Sequence, residues 1–496
     1  MTSVPDWLQR RAESHGAHPA LLCDGRVHTF ADLARSARGF ERLLRTHDVG
    51  AGHVVATLLH GGPDLVALAH AVPRDGRVFA PLGIRLTATE LGEMLDRCKA
   101  TALLYEGSTA DVAAGVHTRA PLIKLRVDGT PAADGAATHA PRADLDAIHT
   151  ILFTSGTSGS PKAVRLTWGN HLWSAMGAAL NLGLRPEDRW LCCLPLNHVG
   201  GLSILVRGAL YGNTVELHRR FDPAAVNAAI DGGATIVSVV ANMMQRMLDE
   251  RRDRPYPPTL RAILAGGGPI PRALIERCRD ARVPITPTYG LTETASQVAT
   301  ASPDGCSAGV GHPLPFTEIR IVDGDGHARP AGSPGEILVR GPMVSPGELG
   351  ETRAADAWLH TRDRGWIDER GHLHVLGRGD DTVICGGENI HPGEVERALE
   401  SHPAVAEAFA CGFDDPEWGQ VLHAAVRASE AVDEMTLIAH CRGILAGYKI
   451  PRRVRIISEF PRTPSGKIAR GAAAATVRRF VESRIPGESN QDATMT

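Results

Sequence analysis

The sequence predicts an α/β protein: a large N-terminal domain of layered α/β subdomains, then a small, mobile α+β C-terminal domain on a hinge. Three observations predict it. Apolar runs of strand length alternate with helical periodicity over most of residues 1–376, the rhythm of a largely parallel sheet. Gly377–Asp381 (GRGDD) is short, polar and glycine-rich, and the texture changes after it. At 496 residues the chain is also too long for one core, since a domain takes roughly 100–200 residues. The expected division is 1–376, a hinge at 377–381, a C-terminal domain at 382–485 and a polar, disordered tail at 486–496 (PGESNQDATMT).

The elements follow in order. Ala31–Leu44 has apolar residues three and four apart, the pattern of an amphipathic helix. Val54–Leu59 reads as a buried strand and Asp64–Val72 as the next helix. Residues 126–145 are rich in Ala, Gly, Pro and Asp and are expected to be a surface loop. Ile148–Phe153 is a strand that runs into a Gly/Ser/Thr loop. Trp190–Leu194, Thr214–Leu217, Thr235–Val240, Arg261–Leu264 and Pro284–Pro287 are further strands, with a helix at Asn242–Glu250. Region 318–340 reads as short antiparallel pieces turning at Asp323–Gly326 and Gly332–Gly335. Behind the hinge, a helix starts at Pro392, where proline suits the first turn. Strands at Ala404–Cys411 and Val421–Val426 precede a helix Met435–Ala446 that Gly447 would cap. A strand at Arg453–Ile457 and a helix from about Ala469 complete the chain.

Composition excludes several classes. The net charge of −3 argues against a nucleic-acid binder, which carries a basic surplus. Aromatic residues at 4% cannot build stacking platforms for single strands. No run of 18 apolar residues exists, so membrane insertion is not expected. The start MTSVPDWLQRRAESHG lacks the apolar core of a signal peptide. Nine scattered cysteines with no CxxC support neither a disulfide framework nor a zinc site. A reduced, cytoplasmic location is expected.

Only five of the 53 basic residues are lysine: Lys99, Lys124, Lys162, Lys449 and Lys467. A GC-rich coding bias accounts for the excess of arginine, and it makes each remaining lysine informative. Lys162 ends the stretch Phe153-Thr-Ser-Gly-Thr-Ser-Gly-Ser-Pro-Lys162. Its glycines admit backbone N–H groups to phosphate oxygens, and its hydroxyls and ammonium add donors. It is not a Walker P-loop, because Pro161, Lys162 and Ala163 stand where Gly, Lys and Ser/Thr belong. A flexible Gly/Ser loop is the bland alternative. Tyr289-Gly-Leu-Thr-Glu293 offers an aromatic face, close approach, a hydroxyl and a carboxylate able to hold Mg²⁺. A turn into a helix start reads equally well. Pro464-Ser-Gly-Lys467 presents a rare lysine on a turn, or else a solvated charge.

Together and in this order the three stretches resemble the adenylate-forming superfamily of acyl-CoA synthetases, luciferases and peptide-synthetase adenylation domains. Leu194-Pro-Leu-Asn-His198, Gly266-Gly-Gly-Pro269, Thr361-Arg-Asp363 and Gly377–Ile390 extend the resemblance over nearly the whole chain. Within the superfamily the chain most resembles the o-succinylbenzoate–CoA ligases of menaquinone biosynthesis, through Gly169–Ser174, Glu187–Leu191, His198–Ile204, Tyr211–Val215 and Tyr289–Gln297.

The resemblance implies ATP, Mg²⁺ and coenzyme A as cofactor and substrates, with a small carboxylic acid. It implies that Thr154, Ser155, Gly156, Thr157, Ser158, Gly159 and Lys162 hold the ATP phosphates. Tyr289 would stack on adenine beside Gly267 and Gly268. Thr292 would contact the α-phosphate and Glu293 the metal. Asp363 and Arg378 would hold the ribose. Lys467 would bridge carboxylate, α-phosphate and ribose during adenylation, and Asp380 would be the hinge residue. His198 would gate an acyl pocket that also contains Ser203, Asn242 and Gly268. Gly386, Gly387 and Glu388 would line the pantetheine tunnel.

A second carboxylate on the acid needs a buried cation, because an unpaired buried carboxylate is costly. Arg207 is the candidate; a solvated helix face in an arginine-rich chain is the alternative. Lys449, in Tyr448-Lys-Ile-Pro451, is a candidate for a CoA phosphate or a solvated turn lysine. Met243, Met244 and Met247 read as core, with Met243 able to serve both core and pocket.

Some positions depart from the pattern. Asn197 replaces an aromatic, Ala241-Asn242 stand where Gln and Thr are usual, Arg362 replaces a glycine, and Ser345-Pro-Gly lacks the usual Gly-Tyr. Three other readings stay open: a benzoate-type aryl-CoA ligase, a stand-alone enzyme loading a carrier protein, and a degenerate non-enzymatic homologue. A homodimer is compatible with the chain.

Overall fold

The computed structural model describes residues 3–131, 142–154, 161–268, 270–303, 309–378, 383–385, 388–390, 392–415, 419–445, 447–464 and 466–482. Two large sheets form the N-terminal part. A six-stranded sheet runs in the order Lys162–Thr167, Ile148–Thr154, Val78–Pro81, Val54–Leu58, Ala100–Tyr105, Ile123–Arg126. Only its first pair is antiparallel. A nine-stranded sheet runs His312–Pro313, Ser296–Thr300, Ile285–Leu291, Ala262–Ala265, Ile236–Val239, Arg189–Cys192, Thr214–Leu217, Pro19–Cys23, Arg26–Thr29. Its six middle strands, from Ile285–Leu291 to Pro19–Cys23, are parallel. Strands covered on both faces should be continuously apolar, and Ile236–Val239 and Ala262–Ala265 are buried throughout.

The helices form for local reasons. Phe30–Thr46 opens with a reciprocal capping box between Thr29 and Asp32. It buries Phe30, Leu33, Ala34, Ala37, Phe40 and Leu44, an i, i+3, i+4 stripe. Ala88–Cys98 and Trp168–Leu182 open with the same device at Thr87/Glu90 and Thr167/Asn170. Buried Arg74 pairs with Asp6 at 2.6 Å and with Glu41 at 2.5 Å, fixing the first helix against the second. The apolar core of this part is one large cluster around Phe30, Phe40, Phe79, Trp190 and Leu205, with a second around Met244, Met247 and Ile263.

A four-stranded antiparallel sheet follows: Glu318–Val322, Gly335–Arg340, Leu359–Ile367, Leu373–Arg378. The C-terminal part has a five-stranded sheet in which Glu388–Ile390, Val383–Cys385, Gly419–Ala428 and Val405–Asp415 lie in order and Arg453–Ile457 pairs with Gly419–Ala428. Helices Pro392–Glu400 and Glu434–Arg442 accompany it over a separate apolar cluster around Val395, Leu399, Val426 and Leu437, and helix Arg470–Glu482 packs Ala473 and Val477 with Phe409 and Phe460.

Two expectations are corrected. The stretch 126–145 is not all loop, because Arg142–Asp144 pairs antiparallel with Ser3–Pro5. A three-residue strand carries too little pattern to stand out from Ala/Pro-rich surroundings. The helix expected to reach Ala446 ends at Arg442, where Gly443 caps it and its N–H reaches the Ala439 carbonyl. The proposed tail 486–496 lies outside the described residues. The eight cysteines within them are free. No described helix is long and apolar enough to cross a membrane.

Candidate active site

In a parallel sheet, loops after the carboxyl ends of the strands gather on one edge, and ligands bind there. The chain after Arg189–Cys192 leads to His198, which begins helix Val199–Tyr211. The chain after Ile236–Val239 leads into helix Ala241–Arg251, with half-buried Asn242 in its first turn. Gly266, Gly267 and Gly268 follow Ala262–Ala265, and Tyr289–Glu293 closes Ile285–Leu291. Gly266 has no alternative residue: a Cβ there would lie 2.6 Å from Thr288 Cγ2 and 2.8 Å from its carbonyl oxygen. Gly267 has φ +79°, a left-handed conformation suited to glycine. Space beside Gly268 is open.

Tyr289 and Asp363 meet here from different sheets. The buried Tyr289 hydroxyl donates to Asp363 Oδ2 at 2.7 Å. Asp363 pairs in register with Arg378, so the two ribose candidates lie side by side; of Arg378 only the backbone is described. Arg362, next to Asp363, has φ +61°. That conformation is why glycine suits the position.

Thr292 and Glu293 form a half-buried turn, and the Ser345 N–H donates to the Glu293 carbonyl at 2.7 Å. The Glu293 carboxylate has no ion pair with a cation among the described residues, so a hard divalent ion suits it. A different trio, Asp323, Asp325 and His327, also lies within metal-binding distance. There Asp323 accepts the N–H groups of Asp325 and His327 in an exposed hairpin turn after the edge strand Glu318–Val322.

Thr154 and Lys162 face each other in register at the mouth of the Gly/Ser/Thr loop. Ser155, Gly156, Thr157, Ser158 and Gly159 lie outside the described residues. Lys162 Nζ contacts Glu348 Oε1 at 2.5 Å. Sequence reasoning missed Glu348. Its signal was the departure at Ser345-Pro-Gly, but no local pattern links position 348 to 162.

Lys467 arrives from the C-terminal part. Its turn is held by the Thr463 N–H donating to the Lys467 carbonyl at 2.8 Å and the Gly466 N–H donating to Thr463 at 2.9 Å. A Cβ built on Gly267 would lie 3.0 Å from Lys467 Cε and 3.4 Å from Nζ, so the ammonium sits on the glycine strip. The neighbouring Gly466 rests against Val240 and Met243. Burial, and then the Lys467 ammonium, push His198 down to about 4. It is therefore neutral at pH 7. His198 and Lys467, far apart in the chain, thus share one electrostatic environment.

Below His198 on the same helix, buried Ser203 lies 3.5 Å from Ser296 Oγ. Arg207 is not on a solvated face; it is 2% exposed. Its Nε and Nη2 have no hydrogen-bond partner, and no carboxylate pairs with it among the described residues. The guanidinium carbon lies 5.4 Å from the centroid of the Trp190 ring. Burial lowers its pKa, and Arg207 in turn adds to the burial that drives His171 down to about 3.

In the C-terminal part, Lys449 Nζ is held by both carboxylate oxygens of Glu394, at 2.7 and 2.9 Å. It is therefore not a free turn lysine. Asp380, Gly386 and Gly387 lie outside the described residues, and of Glu388 only the backbone, paired with Cys385, is described. A cavity of about 310 Å³ lies at the opposite edge of the nine-stranded sheet, between Trp190, Tyr211, Asn213 and Ile236. It is not the site assembled above.

The AMP-binding enzyme family model matches residues 8–347 and the AMP-binding enzyme C-terminal domain matches 394–467. The chain belongs to this family. A 2-succinylbenzoate–CoA ligase of Geobacillus kaustophilus is 40% identical over 489 residues, covering 95% of this chain and 97% of that protein. The o-succinylbenzoate CoA synthetase (MenE) of Bacillus subtilis bound to its acyl-adenylate OSB-AMP superposes with TM-score 0.86 at 36% identity, covering 95% and 98% of the two chains. Its complex with ATP and magnesium ion also gives 0.86 at 36% identity, covering 95% of this chain and 100% of that one. A double mutant of that enzyme with the product analogue OSB-NCoA gives 0.71, at the same identity and coverage as the OSB-AMP complex.

Proposed function

We propose that the chain is an ATP-dependent o-succinylbenzoate–CoA ligase that works through an acyl-adenylate. The observation that carries the substrate reading is Arg207: a buried cation with two donors and no acidic partner, below the gate residue His198 on one helix. Nine residues of helix span about 13 Å. An arginine side chain leans back toward the helix N-terminus, which brings its guanidinium within reach of the far end of a two-carboxylate acid. A monocarboxylic acid would leave this cation without a partner.

In the first step the carboxylate oxygen of the acid attacks the α-phosphorus, an acyl–phosphate bond forms and pyrophosphate leaves. Two anions meet, so positive charge must be placed where negative charge develops. Lys467 provides it from above the glycine strip. Thr292 donates to the α-phosphate, and Lys162 with Thr154 holds the departing phosphates. Tyr289 covers the adenine, while Asp363 accepts from the ribose. Glu293 would hold Mg²⁺, which neutralises phosphate charge. His198, neutral at pH 7, stands at the acyl mouth without adding a second charge.

In the second step the CoA thiolate attacks the activated carbonyl and AMP leaves. Lys467 has no task there. Two steps with different needs favour a C-terminal domain, residues 382–485, that re-orients about Asp380 to present Gly386–Glu388.

Pyrophosphate release measured with o-succinylbenzoate, benzoate, 4-chlorobenzoate, 4-hydroxybenzoate and medium-chain fatty acids, with and without CoA, tests the reading. Turnover confined to o-succinylbenzoate and dependent on CoA is expected. Preference for a monocarboxylic acid would reject it.

A homodimer belongs to the same proposal. Helix Trp168–Leu182 carries no charged residue, and Trp173, Met176 and Leu180 are exposed on it, continued by Leu184 and by Phe316 against Trp173. These side chains expose on the order of 500 Å² of apolar surface, more than half of the ~800 Å² a partner contributes to a standard interface. Sedimentation velocity showing only monomer at micromolar concentration would reject it.

A further inference from the structure

Glu348 lies beside the mouth of the Gly/Ser/Thr loop and is fixed there by backbone. The Leu349 N–H donates to the Ala163 carbonyl at 2.8 Å, the Arg165 N–H donates to Gly347 at 3.3 Å, and Glu348 bridges to Val164. Ser345, at the start of the same segment, is bonded to the Glu293 carbonyl. The segment 345–349 therefore cannot easily drift away from the phosphate and metal side of the site. Its carboxylate holds Lys162 Nζ at 2.5 Å, with side chains 29% and 20% exposed.

We propose that Glu348 is a positioning residue that competes with polyphosphate for Lys162, and so sets how tightly the enzyme holds ATP and pyrophosphate. The inference rests on the reading of Lys162 as a phosphate ligand. A lysine has one charge, and a carboxylate at 2.5 Å already neutralises it. When a triphosphate enters, Lys162 turns to it and Glu348 is left as an unpaired anion fixed next to more anions. Both effects weaken binding of ATP. They weaken binding of pyrophosphate equally, because the competing atoms are the same. After adenylation, recapture of Lys162 by Glu348 helps pyrophosphate leave and opposes the reverse reaction.

The test is steady-state kinetics of Glu348→Gln, which keeps the shape and removes the charge, with Glu348→Ala as a second variant. A partly exposed pair is worth up to about 1 kcal/mol, so KM for ATP and the inhibition constant for pyrophosphate should both fall roughly two- to five-fold. KM for the acid should stay within about two-fold. In a Lys162→Ala background the effect of Glu348→Gln should shrink below about two-fold, since the competed charge is gone. A purely structural role would lower the melting temperature without moving the pyrophosphate constant. If Glu348→Gln raises KM for ATP, or leaves both constants unchanged while Lys162→Ala raises KM, the competition is refuted and Lys162 remains a phosphate ligand. If Lys162→Ala leaves KM for ATP unchanged, the reading of Lys162 itself fails, and the role of Glu348 with it.

Discussion

Replacing Arg207 by Met should make the protein more stable and less active on its diacid substrate. Met nearly matches the length of Arg and is apolar. In the native fold the Arg207 Nε and Nη2 atoms are buried without acceptors, and each unsatisfied donor costs about 1–3 kcal/mol. The contact of the guanidinium with Trp190 returns only about 1–2 kcal/mol. Substitution should therefore raise unfolding stability by about 1–3 kcal/mol. Catalysis should move the other way. A bound carboxylate that has lost its only buried cation is penalised by about 2–5 kcal/mol, which is roughly 30- to 5,000-fold in kcat/KM. Benzoate and other acids without the second carboxylate should lose almost nothing. Urea unfolding and pyrophosphate release on both kinds of acid read the two effects separately. A less stable variant with unchanged kcat/KM for the diacid would show that Arg207 is a structural cation, and the reasoning would be refuted.

Other predictions concern different parts of the molecule. Lys467→Ala should slow pyrophosphate release by about 10²–10³, since one charge at about 4 Å and an effective dielectric of about 20 is worth about 4 kcal/mol. Thioester formation from a supplied acyl-adenylate should be spared; equal loss of both half-reactions would remove the assigned role. Arg362→Gly should stabilise the protein by about 0.5–1 kcal/mol, because a left-handed φ costs an L-residue about 1–2 kcal/mol and glycine gives back part of that in chain entropy. A lower urea midpoint would mean that contacts of the Arg362 side chain outweigh the strain.

Acid should destabilise the fold in a defined window. Burial pushes His70 down to about 4 and His171 to about 3. A histidine kept neutral in the native state takes up its proton only when unfolded. Stability is therefore complete above the ordinary value near 6.5 and falls as pH drops from there toward 4, by about 1.4 kcal/mol per pH unit for each such group. His70→Gln should reduce the slope of urea stability between pH 6 and 5 by one proton's worth, and an unchanged slope would exclude His70 from the effect.

Much of the fold was legible because its signals are local. Strand-length apolar runs at Val54, Ile148, Thr214 and Arg453 became strands within a residue or two. The Phe30–Thr46 helix declared itself through periodicity and a cap. The pieces that were misjudged, Arg142–Asp144 and the end of Glu434–Arg442, are short or terminal, where three residues or one glycine decide. For the site, an arginine-rich composition made five lysines stand out, and two of them, Lys162 and Lys467, fall in the stretches that carry the chemistry. Residue types and their order along the chain thus determined the fold class, the family and the residues to examine.

The partnerships were decided only by the tertiary structure. Lys162 and Glu348 are separated by 186 positions, and Tyr289 and Asp363 by 74. No periodicity encodes such distances; they follow from how two sheets and a loop close on each other. The sequence also left Arg207 evenly divided between solvent and pocket, because an arginine on an apolar helix can face either way. Burial removes the solvated reading: water is excluded around Arg207, and only then does an unpaired charge become costly enough to carry meaning. Local pattern specifies which groups a chain owns, whereas the long-range packing that removes water specifies which of them must find a partner.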